Sequence, residues 1–150
     1  MACTVAVEEV IDEHDAAGEI IDSEEKTLLR NVLVFSELSV GDIMIPRLDI
    51  VAIEHDANLT ALQALVIEKE HTRIPIYKGN MSNPVGIIHA RKLAKFLTSN
   101  EEKNKTNLLQ YSVDPYYTLK DTPLSAQISN FQKQKRRLAL VVNEYGDVLG

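Results

Sequence analysis

Asp56-Ala57-Asn58-Leu59-Thr60-Ala61 and Asp121-Thr122-Pro123-Leu124-Ser125-Ala126 are two renderings of one segment, 65 residues apart. The same shift lays Ala139-Leu140-Val141-Val142 over Ile74-Pro75-Ile76-Tyr77. One residue is then dropped, and Asp147-Val148-Leu149-Gly150 falls over Asn83-Pro84-Val85-Gly86. Self-similarity at a fixed shift marks two copies of one supersecondary unit.

Hydrophobic spacing gives the unit its contents. In the first copy it predicts a strand over Asp49 to Glu54, an amphipathic helix over Leu59 to Lys69, strands at Arg73 to Tyr77 and Val85 to Ile88, and a helix over His89 to Leu97. The polar run Thr98 to Thr106 reads as a linker. The second copy reaches Gly150 where the first still has Ile87 to Leu97 to run, so it is expected to lack most of its last strand and its last helix. An open strand edge and apolar face would follow. The organisation expected is an acidic helical arm over 1–38, the first repeat over 39–97, a linker over 98–107 and an incomplete second repeat over 108–150.

In the arm, Val7, Val10 and Ile11 have helical spacing and lead into Asp12-Glu13-His14-Asp15. Consecutive residues diverge around a helix, so that cluster reads as a solvated acidic face and not as a chelate. Asp22 with Glu25 resembles a capping box, and Leu28, Leu29, Val32 and Leu33 make one apolar stripe, which predicts a helix from Ser23 to Phe35. Ser39 with Asp42 caps one further turn, which Pro46 closes by removing a donor and restraining Ile45.

Composition removes several classes of function. No stretch reaches the roughly 18 apolar residues of a membrane helix, and the start lacks the order of a signal peptide. Cys3 is the only cysteine, which rules out an internal disulfide and a cysteine-based zinc site. The net charge of −6 is concentrated in residues 1–37, which hold ten acids against Lys26 and Arg30, so a nucleic-acid partner is not expected. Lys133, Lys135, Arg136 and Arg137 read as cations complementing a helix C-terminus. No Gly-x-Ser-x-Gly, Gly-rich phosphate loop or His-Glu-x-x-His is present, and an enzyme is not expected.

Three stretches carry a family resemblance: Val-Val-Asn-Glu-Tyr-Gly-Asp at 141–147, the connector Gly41-Asp42-Ile43-Met44-Ile45-Pro46-Arg47, and Arg73-Ile74-Pro75-Ile76-Tyr77. With the doubled unit they resemble the CBS pair of the CorC/HlyC family of membrane transporters, which includes the metazoan cyclin M proteins. The likeness runs over nearly the whole chain. It implies an α/β fold of tandem CBS repeats, each strand-helix-strand-strand-helix, excerpted from a longer protein with a membrane domain before it and a small domain after it. It also implies a regulatory module of a magnesium or cobalt transporter at the cytoplasmic face of the inner (plasma) membrane. This stretch would be soluble, would form a homodimer and would be linked to the transport domain by the acidic arm. The expected ligand is an adenosine nucleotide, AMP or ATP with magnesium.

In the wider family the ribose carboxylate and a hydroxyl come as Gly-x-x-Thr-x-x-Asp, where the last strand meets the last helix. Here the first repeat reads Gly86-Ile87-Ile88-His89-Ala90-Arg91-Lys92, with His89 for the hydroxyl and Lys92 for the acid. Bidentate ribose recognition is lost there, while His89, Arg91 and Lys92 at a helix start favour an anion. The second repeat's equivalent lies past Gly150. By resemblance its site is completed by Ile45, Pro46 and Arg47 of the connector and by His71, Thr72, Arg73, Ile74 and Pro75, with Arg73 on phosphate. The chain by itself is therefore expected to bind nucleotide poorly or not at all. The competing reading makes Ile74, Ile76 and Val51 core, Arg73 a surface ion pair, and the pair a ligand-free dimerisation scaffold, a reading that Lys92 favours.

Overall fold

The computed structural model describes residues 22–57, 63–64, 71–98 and 108–150. The acidic cluster at Asp12 to Asp15 and most of the linker lie outside them. So does the helix expected over 59–69, apart from Gln63 and Ala64, which are helical.

Helix α1 (Ser23–Glu37) forms as its spacing dictates, but two details differ from expectation. Asp22 is the N-cap residue, yet its carboxylate makes no capping bond, so the box with Glu25 is not formed. The apolar stripe is also not core: α1 buries no residue, and Leu28 and Val32 are each 63% exposed. The box that does form is the next one. Helix α2 (Val40–Ile43) is a single turn. The Asp42 carboxylate accepts the Ser39 backbone N–H at 2.8 Å and the Ser39 hydroxyl at 2.7 Å. Those bonds, the hydroxyl first, hold the Asp42 carboxyl below its ordinary value.

The first repeat builds a four-stranded sheet in the order β1 (Ile53–Glu54), β2 (Arg73–Lys78), β3 (Asn80–His89), β4 (Ser112–Val113). The strand expected from Asp49 is reduced to Ile53–Glu54, because the chain before it is held elsewhere. Arg47 donates its backbone N–H to Leu149 at 2.9 Å, and Arg47–Asp49 coil into a 3-10 turn. Helix α3 (Ala90–Thr98) follows β3 and sends Leu93 into a core with Ile53, Ile74, Ile76 and Ile88. Each of these buried side chains contributes about 1.5–3 kcal/mol by leaving water.

The second repeat pairs β5 (Tyr117–Leu119) in parallel with β6 (Leu140–Val142), joined through α4 (Leu124–Gln134). Its register repeats the first. Ile53 opposes Ile76 and Glu54 opposes Tyr77; 65 residues on, Thr118 opposes Val141 and Leu119 opposes Val142. Tyr77 pairs with Pro84, and Val142 with Val148, one residue closer. The dropped residue lies in the turn, where Asn143 organises the chain. Its side-chain oxygen accepts the N–H of Tyr145 at 3.0 Å and of Asp147 at 2.8 Å, its amide donates to the Asp147 carboxylate at 3.0 Å, and Gly146 takes φ +89°. The Asn-Glu-Tyr-Gly-Asp string is thus a turn.

The repeats are joined by exchange: the segment leading into each one packs on the other. Val40 is buried with Leu124 and Val141, while Leu108, in a 3-10 turn over Leu108–Tyr111, completes the core around Ile74 and Ile76. Backbone bonds from Val40 to Thr122 (2.9 Å), Gly41 to Lys120 (2.8 Å) and Leu124 to Leu38 (3.0 Å) fix the first exchange. β4 on β3 fixes the second. Glycine permits both approaches: a Cβ on Gly86 would lie 2.5 Å from the Ser112 hydroxyl, and one on Gly150 would lie 2.5 Å from the Ile45 carbonyl. No helix among the described residues is long and apolar enough to cross a membrane.

Candidate functional site

The exchange leaves two clefts between the repeats. The first, of about 450 Å³, lies between the connector, β6 and α4. Met44, Ile45, Val51 and Pro75 form one wall, and Leu138, Ala139, Leu140 and Val141 another. One face of α4, with Leu124, Gln127, Ile128 and Phe131 at helical spacing, forms the third. Tyr116 buttresses Phe131 from behind, with ring centroids 6.0 Å apart. The polar groups on this mostly apolar surface are few: Asp49, His71, Thr118, Gln127 and Arg137.

Two of them are buried. Thr118 donates its hydroxyl to the Gln127 side-chain oxygen at 2.7 Å, and the Gln127 amide nitrogen, on a residue only 4% exposed, has no partner. Turning the amide over would orphan the oxygen instead, because the hydroxyl can satisfy one of the two atoms facing it. An unpaired buried amide atom costs about 1–3 kcal/mol, which a polar ligand in this cleft would recover.

The second cleft, of about 720 Å³, lies where β2 begins and β3 ends, at Arg73, Ile87 and His89. It is lined by Arg73, His89 and Lys92 of the first repeat and by Lys135, Arg136 and Arg137 of the second, with Asp114 as the acid among its lining residues. Arg137 and Leu138 line both clefts.

The residues expected to form one site are therefore divided. Ile45, His71 and Pro75 line the first cleft, whereas Arg73 lines the second, beside His89 and Lys92 of the separate helix start expected to favour an anion. Arg73 and Pro75 share one face of β2, opposite His89 and Ile87, with Ile74 between them turned into the core, where it is 1% exposed; along that face Pro75 borders the first cleft and Arg73 the second. Thr72 is exposed and its carbonyl accepts the Ala90 N–H at 2.9 Å, starting α3. Pro46 and Arg47 line neither cleft. The Arg47 guanidinium donates to the Asn80 side-chain oxygen at 2.8 Å, tying the connector to the β2–β3 turn.

Sequence reasoning missed Thr118, Gln127 and Phe131. A signal existed for the first two: at the shift of 65 they fall on Ile53 and Leu62, so a polar pair replaces an apolar pair. It also assigned Lys135, Arg136 and Arg137 to a helix end. The helix does end there, with Lys135 in the left-handed conformation at φ 52°, but these cations belong to the second cleft.

Comparison with known proteins places this architecture. The CBS-domain family model matches residues 40–99. The magnesium and cobalt efflux protein CorC of Pasteurella multocida is 34% identical over 134 residues, which cover 89% of this chain and 44% of that protein. A solved CBS-domain pair from Klebsiella pneumoniae with bound AMP is 32% identical with a TM-score of 0.68, covering 76% of this chain and 90% of that one. The CBS domain of a bacterial CNNM/CorC family Mg2+ transporter in complex with ATP is 29% identical with a TM-score of 0.75, covering 85% and 89%. The chain belongs to the CBS-domain family, as a CBS pair of the CorC/CNNM transporter group. It spans from about a third to under a half of the length of the first curated relatives it matches, at 32%, 32% and 44%.

Proposed function

We propose that this pair is the cytosolic regulatory module of a magnesium or cobalt transporter and takes an adenosine nucleotide in its first cleft. The observation that carries this reading is the buried, unpaired amide of Gln127 on an otherwise apolar slot. Adenine offers a flat apolar body, suited to Phe131, Ile45 and Leu138, with ring nitrogens and an amino group at its edge, and so can satisfy either orientation of the amide. His71 and Arg137 are the basic lining residues, suited to phosphate. In a chain extended past Gly150 the segment equivalent to Ile87 through Lys92 would come next. The ribose contacts of a complete site are assigned to it, since no lining carboxylate but Asp49 is present.

Two solved relatives carry AMP and ATP respectively, which supports an adenosine ligand here. A ligand can act on a transport domain only through a difference in affinity between two states of the pair. Homodimerisation supplies such states, and the exposed apolar stripe of α1, just upstream of the connector, is a surface that pairing could cover. Calorimetry with AMP, ATP and magnesium, on this chain and on a version extended past Gly150 through one further helix, tests the reading. Binding by the extended chain that Gln127→Leu weakens supports it, and silence from both chains overturns it. The second reading, a ligand-free scaffold, rests on Lys92 in place of the ribose acid and would be left standing by that silence.

A further inference from the structure

We propose that the second cleft is a site for linked phosphate groups, selective for charge and indifferent to a nucleoside, and distinct from the first cleft. Six basic residues converge on it from both repeats, against the single acid Asp114. Arg73 and His89 are directly opposed across β2 and β3, which puts both side chains on the cleft face of the sheet. Lys92 follows His89 by three residues at the start of α3. The backbone N–H of Arg91 donates to His89 Nδ1 at 3.1 Å, so the neutral ring carries its proton on Nε2 and keeps a donor available there.

Across the cleft, Lys135 closes α4, with the Arg136 N–H on the Phe131 carbonyl at 3.0 Å, and Arg136 donates a guanidinium N–H to the Asp114 carbonyl at 3.2 Å. That bond ties the end of α4 to the residue after β4, the strand that pairs with β3. Among the described residues, Arg73, Lys92, Lys135 and Arg137 form no ion pair with a carboxylate. Uncompensated cations facing one another repel, and a multiply charged anion converts that repulsion into charge-assisted hydrogen bonds. Groups that could read a nucleoside are few: among the described lining residues the aromatic ring is Tyr111, 36% exposed, and the acid is Asp114. The chemistry recognised is a di- or triphosphate chain, free or as the tail of a nucleotide.

Calorimetry of this chain with inorganic tripolyphosphate, ATP and AMP tests the proposal. Tripolyphosphate should bind one per chain at least as tightly as ATP and more tightly than AMP, and the affinity should fall with added salt. Lys92→Glu with Lys135→Glu, two exposed positions that line only this cleft, should weaken tripolyphosphate at least about tenfold. Lys78→Glu, an exposed cation outside the cleft, should change it less than about twofold. No binding of tripolyphosphate, ATP preferred over it, or equal losses from the double variant and Lys78→Glu would each overturn the proposal. Retained AMP or ATP binding to the extended chain carrying the double variant would leave the first-cleft reading intact, so the two readings fail separately.

Discussion

The two repeats share a register but spend it differently. In the first, Ile53 and Ile76 face each other across β1 and β2 inside a core of six buried side chains. At the matching positions of the second, Thr118 faces Val141, and the buried cluster there is Val40, Leu124 and Val141. Both repeats border the clefts, but the second puts a buried polar pair, Thr118 and Gln127, in a cleft wall where the first puts Ile53 in its core. The difference teaches that in a duplicated fold the copy whose apolar pattern is interrupted holds a buried polar group without a partner, while the regular copy carries stability.

Breaking the support gives the largest effect. Ile76→Ala, at a position with 0% exposure, should cost about 2–5 kcal/mol. Its counterpart Val141→Ala, 4% exposed in the smaller cluster, should cost about 1–3 kcal/mol. Urea midpoints of the two variants measure the contrast, and equal losses would contradict the division of labour. The exchange of lead-in segments comes next. Gly86→Ala puts a Cβ 2.5 Å from the Ser112 hydroxyl and 2.9 Å from its Cβ, so β4 must move, at about 1–3 kcal/mol.

The polar pair can be converted toward the first repeat's pattern. Thr118→Val alone removes the one partner of Gln127 and should cost about 1–3 kcal/mol. Thr118→Val with Gln127→Leu removes both partners together and should lie within about 1 kcal/mol of the parent in thermal denaturation. In the extended chain the same double variant should lose adenosine nucleotide affinity, which separates ligand recognition from stability.

The duplication was legible because strand register is a local, period-two property: a shift of 65 in sequence became a shift of 65 in pairing. Elements were legible for the same reason, and the Ser39–Asp42 box as well. What the sequence did not disclose was exchange. Nothing in the spacing of Val40 or Leu108 says which repeat will bury it, since both are apolar residues in short turns and the choice depends on how the repeats dock. That one unknown displaced the site. Once the connector packs on the second repeat, Ile45 and Pro75 meet at one cleft, Arg73 turns to the other, and the basic residues after α4 lie opposite His89 and Lys92.

The smallest effect distinguishes the two lead-in turns by pH. The turn at Val40–Ile43 is held by the Asp42 carboxylate, whereas the turn at Leu108–Tyr111 has no acid in it. Hydrogen bonds from Ser39 lower the Asp42 carboxyl below its ordinary value of 3.8 in the folded state. Unfolding therefore releases a group that binds a proton more readily. The contribution is fully present above the unfolded value and is lost as pH falls through the lower, folded one. Asp42 is exposed and solvent screens it, so the gain is modest. Asp42→Asn should accordingly lower the urea midpoint slightly at pH 6, and the gap between parent and variant should close as the pH is taken below 3.8. Coincident midpoints at pH 6 would mean that the amide and the carboxylate hold the turn equally well, and that the connector owes its place to Val40 packing and not to its cap.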